Sequence, residues 1–426
     1  MDMKQGAVFQ TIIAILGLLV GYPLLGNVFI LLMTPLVIYM VIKKDARFLP
    51  ALMLHCASDT SIMYATFFGM MIICIIETKS LWQNKNTRFI LLALILLLPL
   101  YVVLTVQKMR FDMFAWQNAL HYTAYYLSFW AFLYCFLIAD TFEISIVKLL
   151  LLSFFFVFVL IKIIPGSNHY YRVISMIVFL GVSYGLYLLL HNKDIILGSV
   201  VFLLSMVLFF SEERTFTQLL TLVYSVSIFL LWIASKKQLA QRSVYVLPYV
   251  IIVVLMIYGV NKYETATYGS YSEHINYSNW NDIINRAKFK FFDDRAVLWS
   301  PAWNQLLTLK PVLPIHNIPD IVVYKTSGTV VEDVGFGAHN TPLQLMRIFG
   351  FIMGGILIII YIYCTALASK IIASKNNNAY LIPMLIVVLT NMLVLFLTGT
   401  AAMMINFALF SFGLCGIAYG KNSAVM

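Results

Sequence analysis

Three side chains sit where a cation or a proton acceptor could act on a ligand. Arg214 ends the run Ser211–Glu212–Glu213–Arg214 at the edge of an apolar stretch. Arg295 follows Asp293–Asp294 and leads, at four-residue intervals, to Trp299 and Trp303. His339 ends Gly335–Phe336–Gly337–Ala338–His339 and is followed by Asn340–Thr341–Pro342. An arginine holds phosphate oxygens in a bidentate fork without needing a metal. A histidine near its ordinary pKa is suited to take a proton at neutral pH. Each residue also has a plainer reading. Arg214 fits an interfacial charge, Arg295 an ion pair with Asp293 or Asp294 on a surface helix, and His339 a loop residue that tidies a helix start. The remaining histidines, His55, His121, His169, His191, His274 and His316, have no comparable setting. Asp59 is an acid within an apolar stretch, by default a functional candidate, but it lies in Ser58–Asp59–Thr60, where that stretch breaks.

The elements that must hold these residues follow from the apolar pattern. The chain is 62% hydrophobic and 11% charged, whereas a soluble domain is about 45–50% apolar and about 25% charged. A large buried core cannot absorb the difference, because too few polar residues would remain to cover it. The apolar residues come in blocks of roughly the 20 residues that cross a bilayer as a helix, without the dyad alternation of a membrane barrel. The expected fold is therefore all-α, a polytopic transmembrane helical bundle of about twelve spans. The spans are predicted near 7–22, 25–42, 88–106, 116–139, 146–164, 173–190, 195–210, 215–235, 243–260, 347–368, 380–399 and 400–420. The stretch 48–76 reads as two further short helices, re-entrant or tilted. Three regions result: an N-terminal transmembrane bundle at 1–260, one large loop at 261–346, and C-terminal transmembrane helices at 347–426.

Basic residues in short loops set the orientation. Lys43, Lys44 and Arg47 form one cluster, Lys79, Lys85 and Arg88 a second, Lys236, Lys237 and Arg242 a third, and Lys370 and Lys375 a fourth. Placing all four in the cytoplasm puts both termini inside and the large loop outside. Lys108, Arg110, Lys162, Arg172 and Arg214 then lie at outer span ends, an arrangement compatible with an anionic substrate. The net charge of +10 thus reads as topology, not as nucleic-acid binding. All five cysteines fall in apolar blocks, which excludes a disulfide framework or a cysteine metal site in the loop. The first apolar block runs on without a small-residue cleavage site, so no cleavable signal peptide is expected. Neither GxxxxGK[ST], HExxH nor CxxC occurs, and no internal repeat suggests an inverted-repeat transporter.

The loop has distinct parts. Residues 261–283 are rich in Tyr, Asn and Ser, turn-prone sequence of the kind that carbohydrate surfaces favour and that ordinary exposed loops also use. In 285–307, Phe289, Phe291 and Phe292 mix with Arg286, Lys288 and Lys290, and Ala296, Leu298, Trp299 and Trp303 make a partial helical stripe. This predicts a segment on the membrane surface with its tryptophans at the headgroup level. Pro311, Pro314 and Pro319 make 308–334 extended or looped. Thr341 before Pro342 predicts an N-cap and a first helical residue, which puts His339 just ahead of the helix leading into span 347–368.

Three pieces together resemble the O-antigen polymerase and O-antigen ligase superfamily of bacterial inner-membrane glycosyltransferases. They are Glu213–Arg214 at a span start, Asp294–Arg295-x3-Trp299-x3-Trp303 in the loop, and Gly337-Ala338-His339-Asn340-x2-Leu343-Gln344-x5-Gly350 at the loop exit. The layout, with one large periplasmic loop before the last few spans, is also that family's. The resemblance covers roughly 195–420, and the His–Asn…Leu–Gln…Gly segment is its most specific piece. Where the family usually has Ser–Arg or Thr–Arg, this chain has Glu212–Glu213–Arg214. The resemblance implies transfer of a lipid-linked glycan from undecaprenyl diphosphate to a hydroxyl of a glycan acceptor, with inversion and without a metal or other cofactor. Arg214 and Arg295 would stabilise the departing diphosphate, and His339 would take the acceptor's proton. Arg172, Asn340, Trp299 and Trp303 are the substrate-binding candidates. The expected partners are the donor, the acceptor and the bilayer, with a chain-length regulator as an optional one and no nucleic acid.

Within that class the leading expectation is a polymerase joining lipid-linked repeat units into O-antigen or a related surface polysaccharide. The alternative is the ligase that moves finished polymer onto the lipid A core. A lipid-linked sugar flippase is the competitor from another class. It predicts charges lining a cavity through several spans, whereas here the charges cluster at span ends.

Overall fold

The structure, a computed structural model, describes residues 27–49, 61–111, 125–143, 267–268, 299–313, 324–325, 340–373 and 401–423, with isolated positions at 146, 185, 188, 196, 198–203, 381, 385, 388 and 389. Its helices are α1 (Asn27–Ile42), α2 (Ser61–Ile76), α3 (Thr78–Trp82), α4 (Lys85–Phe111), α5 (Trp130–Leu137), α6 (Trp299–Leu309), α7 (Thr341–Ala373) and α8 (Ala401–Ser423). The described part is helical, as expected, apart from two-residue strands inside the loop. There β1 (Thr267–Tyr268) pairs in parallel with β2 (Tyr324–Lys325).

Long runs of Leu, Ile, Phe and Val form helices here, and a helix satisfies every backbone group within its own segment, as a span in hydrocarbon would require. Residues Lys85–Val106 of α4 and Thr341–Ile372 of α7 are long and apolar enough to cross a membrane. In α4, Leu94, Tyr101 and Leu104 are buried, while Leu96 is 71% and Val106 56% exposed. A helix on the surface of a soluble protein turns polar residues outward; this one is apolar on both faces. The expected spans 25–42, 88–106, 347–368 and 400–420 have counterparts in α1, α4, α7 and α8. Span 116–139 ends in α5, and the second piece of 48–76 is α2. The spans 7–22, 146–164, 173–190, 195–210, 215–235, 243–260 and 380–399 lie wholly or largely outside the described residues.

The core centres on α5, whose residues Trp130 to Cys135 are all buried, with α2, α4 and α8 packed on it. The α8 seam is made by glycines. A Cβ on Gly416 would stand 2.2 Å from the Phe132 carbonyl oxygen, and one on Gly420 2.4 Å from Ala139 Cβ. Only hydrogen at these positions lets the two backbones come so close, which is how membrane helices gain contact where lipid is as apolar as leucine. Buried tyrosines tie in the neighbours: the Tyr134 hydroxyl donates to Val41 O at 2.7 Å and that of Tyr126 to Leu94 O at 2.6 Å.

One end of the bundle is polar. Lys44 pairs with Glu77, and its hydrogen bond holds the Glu77 carboxyl below the usual carboxylate range. Arg47 Nε donates to Asp45 Oδ2 at 2.7 Å, and Lys421 Nζ to Asp140 O at 3.3 Å. Asn86, at the start of α4, receives the Tyr363 hydroxyl at 2.6 Å and donates to Tyr419 at 2.7 Å. The first two basic clusters therefore share one end, and both flanks of 48–76 meet there. The break at Ser58–Asp59–Thr60 lies outside the described residues.

Candidate functional site at the meeting of α6 and α7

The loop exit begins with Asn340, which is fully buried. Its Oδ1 accepts the Leu343 amide at 3.1 Å, and its carbonyl accepts the Gln344 amide at 2.9 Å. Asn340 is thus the N-cap, one residue earlier than the Thr341 expected. Asn caps at least as well as Thr, and Pro342, now the second helical residue, still falls where an amide would have no intrahelical partner. The Asn340 Nδ2 group is buried and meets no acceptor among the described residues.

From Thr341 the chain is not one rod. Gly350 has φ 74° and ψ 175°, a conformation essentially reserved for glycine. It divides α7 into a first helix, Thr341 to Phe349, and a second that begins at Phe351. A Cβ on Gly354 would stand 2.7 Å from Leu345 O and 2.8 Å from Met346 Cα, so the first helix folds back against the second. The second helix, Phe351 to Ile372, is about 33 Å long at 1.5 Å per residue, which suffices to cross a hydrocarbon core of about 30 Å on its own.

The segment after α6 fills the break. α6 ends at Leu309, and the positive φ of 42° at Lys310 supplies a left-handed turn before Pro311. The Pro311 carbonyl then accepts the Phe351 amide at 2.7 Å, and that of Val312 the Ile352 amide at 3.3 Å. These bonds satisfy amides that the break leaves without a preceding turn. A Cβ on Gly350 would lie 2.6 Å from the Leu313 carbonyl carbon.

α6 itself packs on α7, and its Trp299, Ala302 and Leu306 are all buried. Of the surface segment expected over 285–307, only residues from 299 on are described; there Trp299 departs from the headgroup-level placement, its side chain being buried. Trp299 is enclosed by protein and presents no open face to a sugar, whereas Trp303 is half-buried and retains accessible surface. The polar link across the interface is Arg347, only 4% exposed. Its Nε donates to Gln305 Oε1 at 2.8 Å and its Nη1 to Gln344 Oε1 at 3.2 Å.

The structure thus joins the Trp299–Trp303 motif of the loop to the Asn340…Leu343–Gln344…Gly350 motif of its exit. Arg347, which spacing did not single out, is the clasp between them. His339, Arg295, Arg214 and Arg172 lie outside the described residues, as do Glu212–Glu213 and Asp293–Asp294. Among the described residues no three His, Cys, Asp or Glu side chains gather as metal ligands would. No family model, no curated protein and no solved structure matches this chain.

Proposed function

We propose that this chain is a bacterial inner-membrane polymerase that joins undecaprenyl-diphosphate-linked repeat units into O-antigen or a related surface polysaccharide. It works at the periplasmic face, with about twelve spans, the 261–346 loop outside and both termini in the cytoplasm. The observation that carries the reading is the docking of α6 on the first helix of α7 through Arg347 and Gln305. His339 is covalently next to Asn340, and Arg295 precedes Trp299 by four residues, at most about 14 Å of extended chain. The docking therefore joins the flanks of the proposed base and of one proposed diphosphate ligand. Further support comes from the break at Gly350, which leaves a helix of span length intact. An alternating-access carrier breaks its helices within the span, around a midplane site.

In this reaction the acceptor hydroxyl attacks the anomeric carbon of the donor from the side opposite the diphosphate. The new glycosidic C–O bond forms as the bond from carbon to diphosphate oxygen breaks, and the configuration inverts. His339 accepts the hydroxyl proton, and Arg295 and Arg214 hold the charge that collects on undecaprenyl diphosphate. Arg172, Asn340 and Trp303 contribute to binding, Asn340 by setting the start of the helix at the loop exit.

His339→Ala should reduce turnover on the order of 10²–10⁴-fold at unchanged protein level and membrane insertion, read as glycan banding in cells carrying the variant. Near-wild-type banding would remove His339 from the mechanism. The glycan of a deletion strain identifies the acceptor. Lipid A core carrying a single repeat unit marks a lost polymerase, and polymer retained on undecaprenyl diphosphate marks a lost ligase.

A further inference from the structure

Burying a guanidinium is costly unless its donors are met, and replacing a buried charge by a well-packed apolar residue is often neutral or stabilising. A leucine or methionine at position 347 would avoid that cost, but it would leave α6 and α7 without the side-chain bond that joins them. What the arginine adds is geometry. Its planar fork engages Gln305 on one helix and Gln344 on the other, at 2.8 and 3.2 Å, and a rigid fork fixes angle as well as distance. The carbonyls of Pro311 and Val312, bonded to the amides after Gly350, seat the C-terminal end of the same unit. The chain enters α6 four residues after Arg295 and enters the first helix of α7 two residues after His339. The angle between these two helices sets the approach of those two entry points.

We infer that Arg347 is a positioning residue: it fixes the docking of α6 on the first helix of α7, and turnover depends on that docking. Its effect on turnover rests on the glycosyl-transfer reading above; the docking itself does not.

The test uses the full chain in lipid nanodiscs and compares wild type with Arg347→Met, Gln305→Met, the double variant and Arg347→Lys. Hydrogen exchange of 299–313 reports docking, with 401–423 as the internal reference. Turnover is measured with undecaprenyl-diphosphate-linked repeat unit extracted from cells lacking this chain. In Arg347→Met and Gln305→Met, exchange over 299–313 should accelerate while 401–423 is unchanged. In both, kcat per folded molecule should fall on the order of 10²-fold, the scale of a misplacement of about 1 Å, with little change in KM. The double variant should be no worse than either single one, as for two ends of one contact. Arg347→Lys should stay impaired, because an ammonium keeps the charge and loses the fork. Should Arg347→Met fail to accumulate, Gln305→Met removes the same contact from the other helix. Wild-type exchange and turnover in these variants would overturn the inference. So would an inert Arg347→Met beside a fully active Gln305→Met, which would mean that Arg347 acts directly. If the wild-type chain itself transfers no glycan, the functional reading falls and the exchange result alone decides: accelerated exchange upholds the docking role, unchanged exchange refutes it.

Discussion

Two helix seams among the described residues are built on opposite terms. Between α5 and α8 there are glycines and buried apolar side chains, and the backbones nearly touch. Between α6 and α7 there are a buried arginine, two glutamines, a left-handed lysine and a helix broken at a glycine with positive φ. The first seam is what packing cohesion alone produces between apolar helices. The second keeps features that cohesion does not need: a buried guanidinium, costly unless its donors are met, and a lysine in the left-handed region, of order 1–3 kcal/mol of strain. The difference predicts where a substitution will be felt: in the amount of folded protein at the first seam, in the rate per folded molecule at the second.

Gly416→Ala should have the largest effect on folding. The added methyl would sit 2.2 Å from a backbone oxygen of α5, and neither helix can yield without separating along the seam. We expect destabilisation of about 3 kcal/mol or more, seen as loss of folded protein by fluorescence-detected size exclusion, while whatever folds retains its turnover. Gly355→Ala is the control. Nothing lies within 4 Å of a Cβ there, so folded yield should hold or rise slightly, by the roughly 0.5–1 kcal/mol that alanine gains over glycine within a helix. Equal losses at the two glycines would dissolve the argument from close approach.

Gly350→Ala sharpens the comparison at the other seam. Alanine is strained at φ 74° and would collide with the carbonyl of Leu313. Relief is available here that α8 lacks, because the 311–313 segment can withdraw from the break. The expected folding cost is about 1–3 kcal/mol, smaller than at Gly416. Turnover per folded molecule should nevertheless fall further than in Gly416→Ala, since withdrawal of 311–313 frees α6 from α7. A variant that folds poorly yet turns over normally would place Gly350 with the cohesive glycines.

These two glycines also mark what sequence could and could not tell. Gly350 was visible as the end of a motif, but the reason for it, a reversed backbone pressed against Leu313, involves a segment 37 residues away. The apolar helices at α1, α4, α7 and α8 were legible because apolar runs of about that length are what a bilayer asks of a helix; most of the other predicted spans lie outside the described residues. The stripe of α6 showed that Trp299 needed an apolar surface; periodicity could not say whether lipid or protein would supply it, and protein did. The cap at Asn340 was missed by one residue because Asn and Thr are both good caps and only the bonds to Leu343 and Gln344 choose between them. Arg347 was not singled out at all. The available signal was Gln344 three residues earlier on the same helical face, a spacing at which side chains meet; Gln305 had no such local clue.

The smallest expected effect separates burial from polarity. The Lys44–Glu77 pair is as polar as the Arg347 clasp, but its side chains are 38% and 31% exposed. Exposed ion pairs contribute at most about 1 kcal/mol, and salt screens them. The Glu77 carboxyl is held below its usual range chiefly by the hydrogen bond from Lys44. The sign follows from that direction. The stabilisation is complete above the ordinary carboxylate pKa, and it is lost as pH falls through the depressed folded value. Glu77→Gln should therefore cost less than about 1 kcal/mol at neutral pH and low salt. The cost should vanish in acid, where wild type is itself protonated, and shrink in high salt. A neutral-pH loss in Glu77→Gln as large as that in Arg347→Met would mean that charge, not enclosure, distinguishes the α6–α7 seam. A loss that persists unchanged in acid and in high salt would mean that the Glu77 side chain acts through packing.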